Sequence, residues 1–168
     1  MNKNLTISLV SFLRSPKTVT EWNNCQWSAL LQEGYHTGLL ARIFYLLNEH
    51  DLFNFVPQEL QWHFHSASVV FVAHKSDVQL ETERIIKALA PAGIKPVFLK
   101  GTAYLIDENK SSRGRLFADI DIFVAKKDLE TTEELLRWNG WLGKEVDAYD
   151  DKYYRDWMHE IPPMTNTI

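Results

Sequence analysis

The sequence of 168 residues holds a single cysteine, Cys25. One thiol excludes an intrachain disulfide and a thiolate-held zinc centre, and it fits a reducing compartment, so a cytoplasmic protein is expected. Basic residues are short as well: 18 Lys and Arg stand against 22 Asp and Glu, for a net charge of −4. That balance argues against a protein that coats nucleic acid without regard to sequence, although a local basic patch stays compatible with it. No apolar run approaches the ~20 residues needed to cross a bilayer. Leu5 to Leu13 is mildly apolar but short and lacks a small-residue cleavage pattern, so neither a secretory leader nor a membrane partner is expected. Internal repeats and low-complexity segments are missing too.

What is present suffices for a core. Hydrophobic residues make up 45% and charged residues 24%, which is ordinary for one domain, or for a small domain with a helical extension. The first half reads as helices. Residues 20–33 and 37–49 carry helical spacing, with breaks expected at Gly34 and Gly38. Pro57 suits the first turn of a longer helix. Along it Leu60, Phe64, Ala67, Phe71, His74, Val78, Ile85 and Leu89 form one apolar stripe over eight or nine turns, which Pro91 and Gly93 end. His74 belongs to that stripe and reads as a core or boundary residue. His63 and His65 are two apart and share no helix face. Trp22, Trp27 and Trp62 read as packing anchors, because they are not interleaved with Lys or Arg as on a nucleic-acid surface.

The second half changes period. In "IKPVFLKGTAYLI" (94–106), Pro96 to Leu99 is a short buried strand, Lys100, Gly101 and Thr102 form a turn, and a helix starts at Ala103. Gly101 permits a tight turn and Thr102 a helix cap. Free backbone N–H groups beside a cation suit a phosphate. On its own, such a junction reads first as plain turn chemistry. "RGRLFADIDIFV" (113–124) then places two carboxylates in the most strand-like run of the chain, Ala118 to Val124. Strand alternation puts Asp119 and Asp121 on one face, with Cα atoms roughly 6.5–7 Å apart. Ile120, Ile122 and Val124 take the other face, towards a core. Two carboxylates side by side repel, and burial worsens the repulsion. A divalent cation between them resolves it: Mg²⁺ takes one or two protein carboxylates and completes its shell with water and phosphate oxygens. A solvated acidic face on an edge strand is the plain alternative. The Lys-Gly-Thr turn one strand earlier and Arg115 just upstream favour the metal.

These residues resemble the nucleotidyltransferases of the DNA polymerase beta superfamily, and within it the branch described as uncharacterised nucleotidyltransferases. The likeness lies in the helical first half, Ala92-Gly93-Ile94 with Leu99-Lys100-Gly101, Arg115 with Asp119-Ile120-Asp121, the later Gly140-Trp141 pair, and "WMHEIPPM" (157–164). It covers roughly residues 20–164. The resemblance implies that Asp119 and Asp121 hold Mg²⁺ (or Mn²⁺). The turn at Lys100, Gly101 and Thr102 would hold the β- and γ-phosphates of a nucleoside triphosphate, the substrate. Arg115 suits either a phosphate or a salt bridge with a nearby acid. The reaction implied is transfer of a nucleoside monophosphate to the hydroxyl of an acceptor, which is a small molecule, a protein or an RNA. Two departures stand out. The superfamily usually has Gly-Ser or Gly-Gly at the turn, where this chain has Gly101-Thr102. It also uses a third carboxylate on a later strand, and no acid in residues 122–168 sits in a convincing strand.

The expected architecture is therefore α+β. A helical region spans 1–92 and a small mixed-sheet nucleotidyltransferase core spans 93–168, incomplete at its C-terminal end. An uncovered sheet edge near the aspartates would then favour self-association. If the core is complete, the third acid falls to Glu145, Asp147 or Glu160. Other acids read as solvated: Glu130, Glu133 and Glu134 on the exposed face of a helix over 128–138, whose apolar side is Leu129, Leu135, Leu136 and Trp138, and the cluster Asp147, Asp150 and Asp151. His159 and Glu160 are further candidates for the site.

Rival enzymes with an Asp-x-Asp strand fit less well. A haloacid-dehalogenase-type phosphotransferase needs more chain after Asp121, and a metal-dependent glycosyltransferase needs alternating strands and helices ahead of it. The alternative of a different class is a non-catalytic binding module that keeps this fold and acts through its helical half.

Overall fold

Residues 7–143 and 147–167 are described in the computed structural model, and their elements follow from local chemistry. Helix α1 covers Ile7–Arg14 and α2 covers Asn24–Thr37. A capping box opens α2: Asn23 accepts from the Gln26 N–H, and the Gln26 side chain accepts from the Asn23 N–H. Gly38 closes it with φ +68°, a left-handed cap that costs glycine nothing. Helix α3 follows at Leu40–Glu49. Gly34, expected to break the helix, lies buried inside α2. A Cβ there would sit 2.9 Å from the Ile43 side chain, so this glycine serves close packing of α2 on α3.

Helix α4 runs Gln58–Leu89, 32 residues, directly after Pro57. Phe64, Phe71, Val78, Ile85 and Leu89 are buried along one stripe, as the spacing predicts. A 3₁₀ turn over Ala90–Ala92 and Gly93 at φ +68° end it. Then come β1 (Val97–Phe98), α5 (Lys100–Ile106), β2 (Ile122–Phe123), α6 (Leu129–Trp138), β3 (Trp141–Gly143), α7 (Ala148–Tyr153), a π turn over Tyr154–Met158, and β4 (Met164–Asn166).

The class is α+β with a helical N-terminal region. Where one small mixed sheet is expected, the described residues form two antiparallel pairs. Strand β1 pairs with β2 in the register Val97 to Phe123, and β3 pairs with β4 in the register Trp141 to Asn166. With two- and three-residue strands, the ladders end before a further strand joins them.

Two compact units divide the chain. One is Met1–Val78 with Gly101–Asp119; the other is Gln79–Lys100 with Ile120–Ile168. The first has a core built from Phe12, Val19, Trp27, Leu30, Ile43 and Phe64. Trp22 packs edge-on against Trp27 at 5.5 Å. Trp62 is no anchor: it is 59% exposed and lies over His63. Within the same unit, Arg42 pins the loop that leads towards the aspartates. Its Nη1 donates to the carbonyls of Lys110 (2.8 Å) and Arg113 (3.1 Å). Gly114, at φ +74°, lies so close that a Cβ would stand 2.5 Å from the backbone of Ala41 and Arg42. Lys110 Nζ bonds Glu49 Oε1 at 3.1 Å, and this holds the Glu49 carboxyl below its usual range.

The second unit buries Ile85, Leu89, Ile94, Leu136 and Trp141, with Phe98, Ile120, Ile122 and Val124 packed on them. Glu81 of α4 accepts from Trp141 Nε1 at 2.8 Å and from the Asn166 amide, which ties β3 and β4 to the helix. The buried face of α6 differs from the sequence reading. Thr132, Glu133 and Leu136 are buried, Leu129 is half-buried and Leu135 packs on the core as expected, whereas Trp138 is 89% exposed. Glu133 is inside because Arg137 and Arg155 pair with it. The hydrogen bonds that Arg155 donates to Glu133 and Asp151 hold the pKa of its guanidinium above even its ordinary value. No described helix is long and apolar enough to cross a membrane.

Candidate functional site

The division of the chain falls inside both motifs. Lys100 and Asp121 belong to the second unit; Gly101, Thr102, Arg115 and Asp119 belong to the first.

In the second unit, Phe98 stands opposite Ile122, and the Leu99 N–H donates to the Asp121 carbonyl at 2.9 Å. The pairing therefore runs one step past the two-residue ladder. Ile120, Ile122 and Val124 pack on the core, so alternation turns Asp121 and Phe123 outward. Phe123 and its partner Val97 are both exposed. The expected strand over 118–124 is shorter in fact: β2 holds Ile122–Phe123, and Asp121 precedes it, because β1 offers only two residues to pair with. Lys100 takes φ +49°, a left-handed conformation uncommon without glycine. From there its Nζ lies 3.1 Å from Asp121 Oδ1. The lysine is largely exposed, so the pair is worth only about 0–1 kcal/mol and a competing anion can replace it.

In the first unit, Gly101 and Thr102 are buried. The ring of Phe117 lies on Gly101, where a Cβ would meet it at 2.8 Å. His74 packs edge-on against the same ring, with centroids 4.7 Å apart. Thr102 Oγ1 and His74 Nε2 are buried with no hydrogen-bond partner among the described residues. An orphan polar group of this kind costs about 1–3 kcal/mol. Burial also pushes the His74 pKa below its ordinary value, against a smaller upward pull from Asp77. Asp119 and Arg115 are exposed. The Arg115 N–H donates to the Ser112 carbonyl at 3.0 Å.

The structure thus brings Lys100 to Asp121 and Phe117 to Gly101. Of the expected third acids, Glu145 lies outside the described residues. Asp147 caps α7 by accepting from the N–H groups of Tyr149 and Asp150. Glu160 is exposed and follows His159, which has φ +56°. Among the described residues no group of three or more His, Cys, Asp and Glu is placed to hold a metal ion. Two carboxylates two residues apart are a hard-oxygen donor set. They fit Mg²⁺ or Mn²⁺ completed by water and phosphate oxygens, and they do not fit a closed protein cage.

The Phe117 ring lies against Gly101 and His74, and the sequence reading set neither Phe117 nor His74 beside the turn. The signal for Phe117 was available: Phe117, Asp119, Asp121 and Phe123 alternate along one stretch. For His74 nothing in the helical spacing distinguished a shielded ring nitrogen from an ordinary boundary histidine.

The model of a family described as uncharacterised nucleotidyltransferase matches residues 23–164 of the chain. No curated protein and no solved structure matches it.

Proposed function

The chain belongs to the uncharacterised nucleotidyltransferase family, and on that premise we propose that it transfers a nucleoside monophosphate from a nucleoside triphosphate to an acceptor hydroxyl in a metal-dependent reaction. The observation that carries this reading is the ion pair between Lys100 and Asp121, 3.1 Å apart and 21 residues apart in sequence. It supports a cation at the start of α5 and a carboxylate just ahead of β2 that work on one bound group. Asp119 and Asp121 are the ligands of Mg²⁺ or Mn²⁺. When bound, that ion neutralises phosphate charge and polarises the phosphoryl group.

The protein's own part is binding and orientation. Lys100 exchanges its exposed pair with Asp121 for the β- and γ-phosphates. Gly101 and Thr102 hold the same phosphates, and the Arg115 guanidinium offers them two parallel N–H donors. The acceptor oxygen then forms its bond to the α-phosphorus. The bond from that phosphorus to the bridging oxygen breaks, pyrophosphate leaves with the electron pair, and the hydroxyl proton passes to water. A sugar, a small metabolite, a protein and an RNA all supply a suitable hydroxyl.

The test incubates the chain with each of the four ribonucleoside triphosphates, with Mg²⁺ or Mn²⁺, and with a panel of sugars, proteins and RNA. Pyrophosphate release and calorimetric binding are followed together. Metal-dependent release with at least one nucleotide is expected. Absence of both release and metal-dependent binding for all four would sink the proposal. Binding without release would favour the non-catalytic module.

A further inference from the structure

A cleft of about 220 Å³ opens in the first unit, between the end of α2, the start of α3 and the first half of α4. Its walls are mostly apolar, with Leu40, Ala41 and Val70 joined by Leu116 from the loop after α5. Tyr35 and His63 also line it, and the Tyr35 hydroxyl lies 2.8 Å from His63 Nδ1. We infer that this cleft binds a small neutral ring that bears a hydroxyl group. None of its lining residues belongs to the Lys-Gly-Thr turn or to the aspartate motif, so the inference stands or falls apart from the nucleotide reading.

The volume sets the size of the ligand. An apolar cavity of about 150 Å³ accommodates benzene, and pockets for drug-sized molecules run to about 300–1,000 Å³. A cleft of about 220 Å³ therefore suits one six-membered ring with a short substituent. The walls set its polarity. Tyr35, Val70 and Leu116 are exposed around the cleft, and apolar side chains left in water around a concavity mark a ligand groove. A sugar would surrender water from several hydroxyls here and find few partners.

The Tyr35–His63 pair sets the substituent. Tyr35 meets the His63 ring edge-on, with centroids 5.8 Å apart, and Trp62 lies tilted over it at 3.6 Å. A neutral His63 can pair with the phenol in two ways. If the Tyr35 O–H donates to Nδ1, Nε2 carries a spare proton and the phenolic oxygen can still accept. If the Nδ1–H donates to that oxygen, Nε2 accepts and the phenol donates. Either way the pair has one donor and one acceptor left over. A ligand hydroxyl can use both, whereas a carboxylate uses only the donor and an ammonium only the acceptor. Leu116 stands three residues before Asp119, a Cα span of at most about 11 Å, so an occupant touches the segment that leads to that carboxylate.

The experiment places 5-fluorotryptophan in the full chain. The ¹⁹F signal lost in Trp62→Phe identifies Trp62, which lies over His63. 4-Methylphenol, toluene and glucose are titrated in turn. The Trp62 signal should shift saturably with 4-methylphenol, with a dissociation constant of about 1 mM or below. Toluene has the ring without the hydroxyl and should bind about fivefold more weakly; glucose should not bind. His63→Phe should erase the difference between 4-methylphenol and toluene. Val70→Trp, at an exposed position on the wall, should weaken 4-methylphenol about tenfold or more. No saturable shift at about 20 mM 4-methylphenol, far above the expected constant, overturns the inference. Unchanged affinity in Val70→Trp with native circular dichroism does the same. Toluene or glucose binding as tightly as 4-methylphenol to the wild-type chain overturns the class of ligand. Should Val70→Trp fail to fold, Ser66→Trp tests the cleft from another exposed lining position.

Discussion

Replacing Asp119 or Asp121 with Asn keeps the shape of each side chain and removes one negative charge. Even outer-shell partners of metal ligands cost about 10–100-fold when removed. Each variant should therefore lose at least roughly 100-fold in metal-dependent turnover, while its urea midpoint changes little. Turnover within a few-fold of wild type in either variant would remove that residue from the metal site. The two aspartates stood out in the sequence because acids break the pattern of an otherwise apolar run, but only Ile122–Phe123 of that run pair as strand. Gly101 was legible only in part. Its need for a bare backbone shows in the sequence, but the Phe117 ring that lies on it comes from sixteen residues downstream, and no local pattern announces such a contact. The Lys100 to Asp121 pair is of the same kind: both residues were singled out, yet their 3.1 Å approach is a product of the β1–β2 register.

At the level of the elements, α4 carries a pH dependence. His74 has its pKa lowered from 6.5 in the folded chain, chiefly by burial. The unfolded chain therefore takes up the proton first as pH falls. Stability from the neutral ring is complete above pH 6.5 and is lost as pH drops below it towards the folded value. Urea midpoints should fall between about pH 7 and about pH 5, and His74→Phe should flatten part of that fall. An identical decline in the variant would refute the assignment. The loop after α5 gives a second test. Gly114→Ala places a Cβ 2.5 Å from the backbone of α3 at φ +74°. Strain and overpacking together should cost about 2–5 kcal/mol, read as a lower urea midpoint; a change under about 0.5 kcal/mol would contradict the close approach. Helix α4 was legible nearly to the residue, since Pro57, a long stripe and Pro91-Gly93 all agree. The face of α6 was not. Leu135 packs on the core as read, but Trp138 does not, and a buried Glu133 becomes intelligible once Arg155, 22 residues away, joins Arg137 in pairing with it.

For the molecule as a whole, a ligand that binds only the folded chain raises its stability by mass action. At a hundred times the dissociation constant this amounts to about 2.7 kcal/mol, or roughly 5–10 °C in the thermal midpoint for a chain of this size. A nucleoside triphosphate with Mg²⁺ should produce such a rise, and the same nucleotide with a chelator should not. A rise that survives the chelator would refute metal dependence. The α+β class was legible from period changes along the sequence. The discontinuous make-up of the two units was not, because nothing in Val78, Lys100 or Asp119 marks a crossing from one unit to the other. That make-up has a consequence on the ribosome. Met1–Val78 is made before Gly101–Asp119, the other part of its unit, which ends about forty residues later. At ~5–20 residues per second this is a wait of roughly 2–8 s. During that wait α3 lacks the loop that Arg42 pins in the folded unit, and synonymous codon changes that slow residues 79–119 should lower the yield of folded protein.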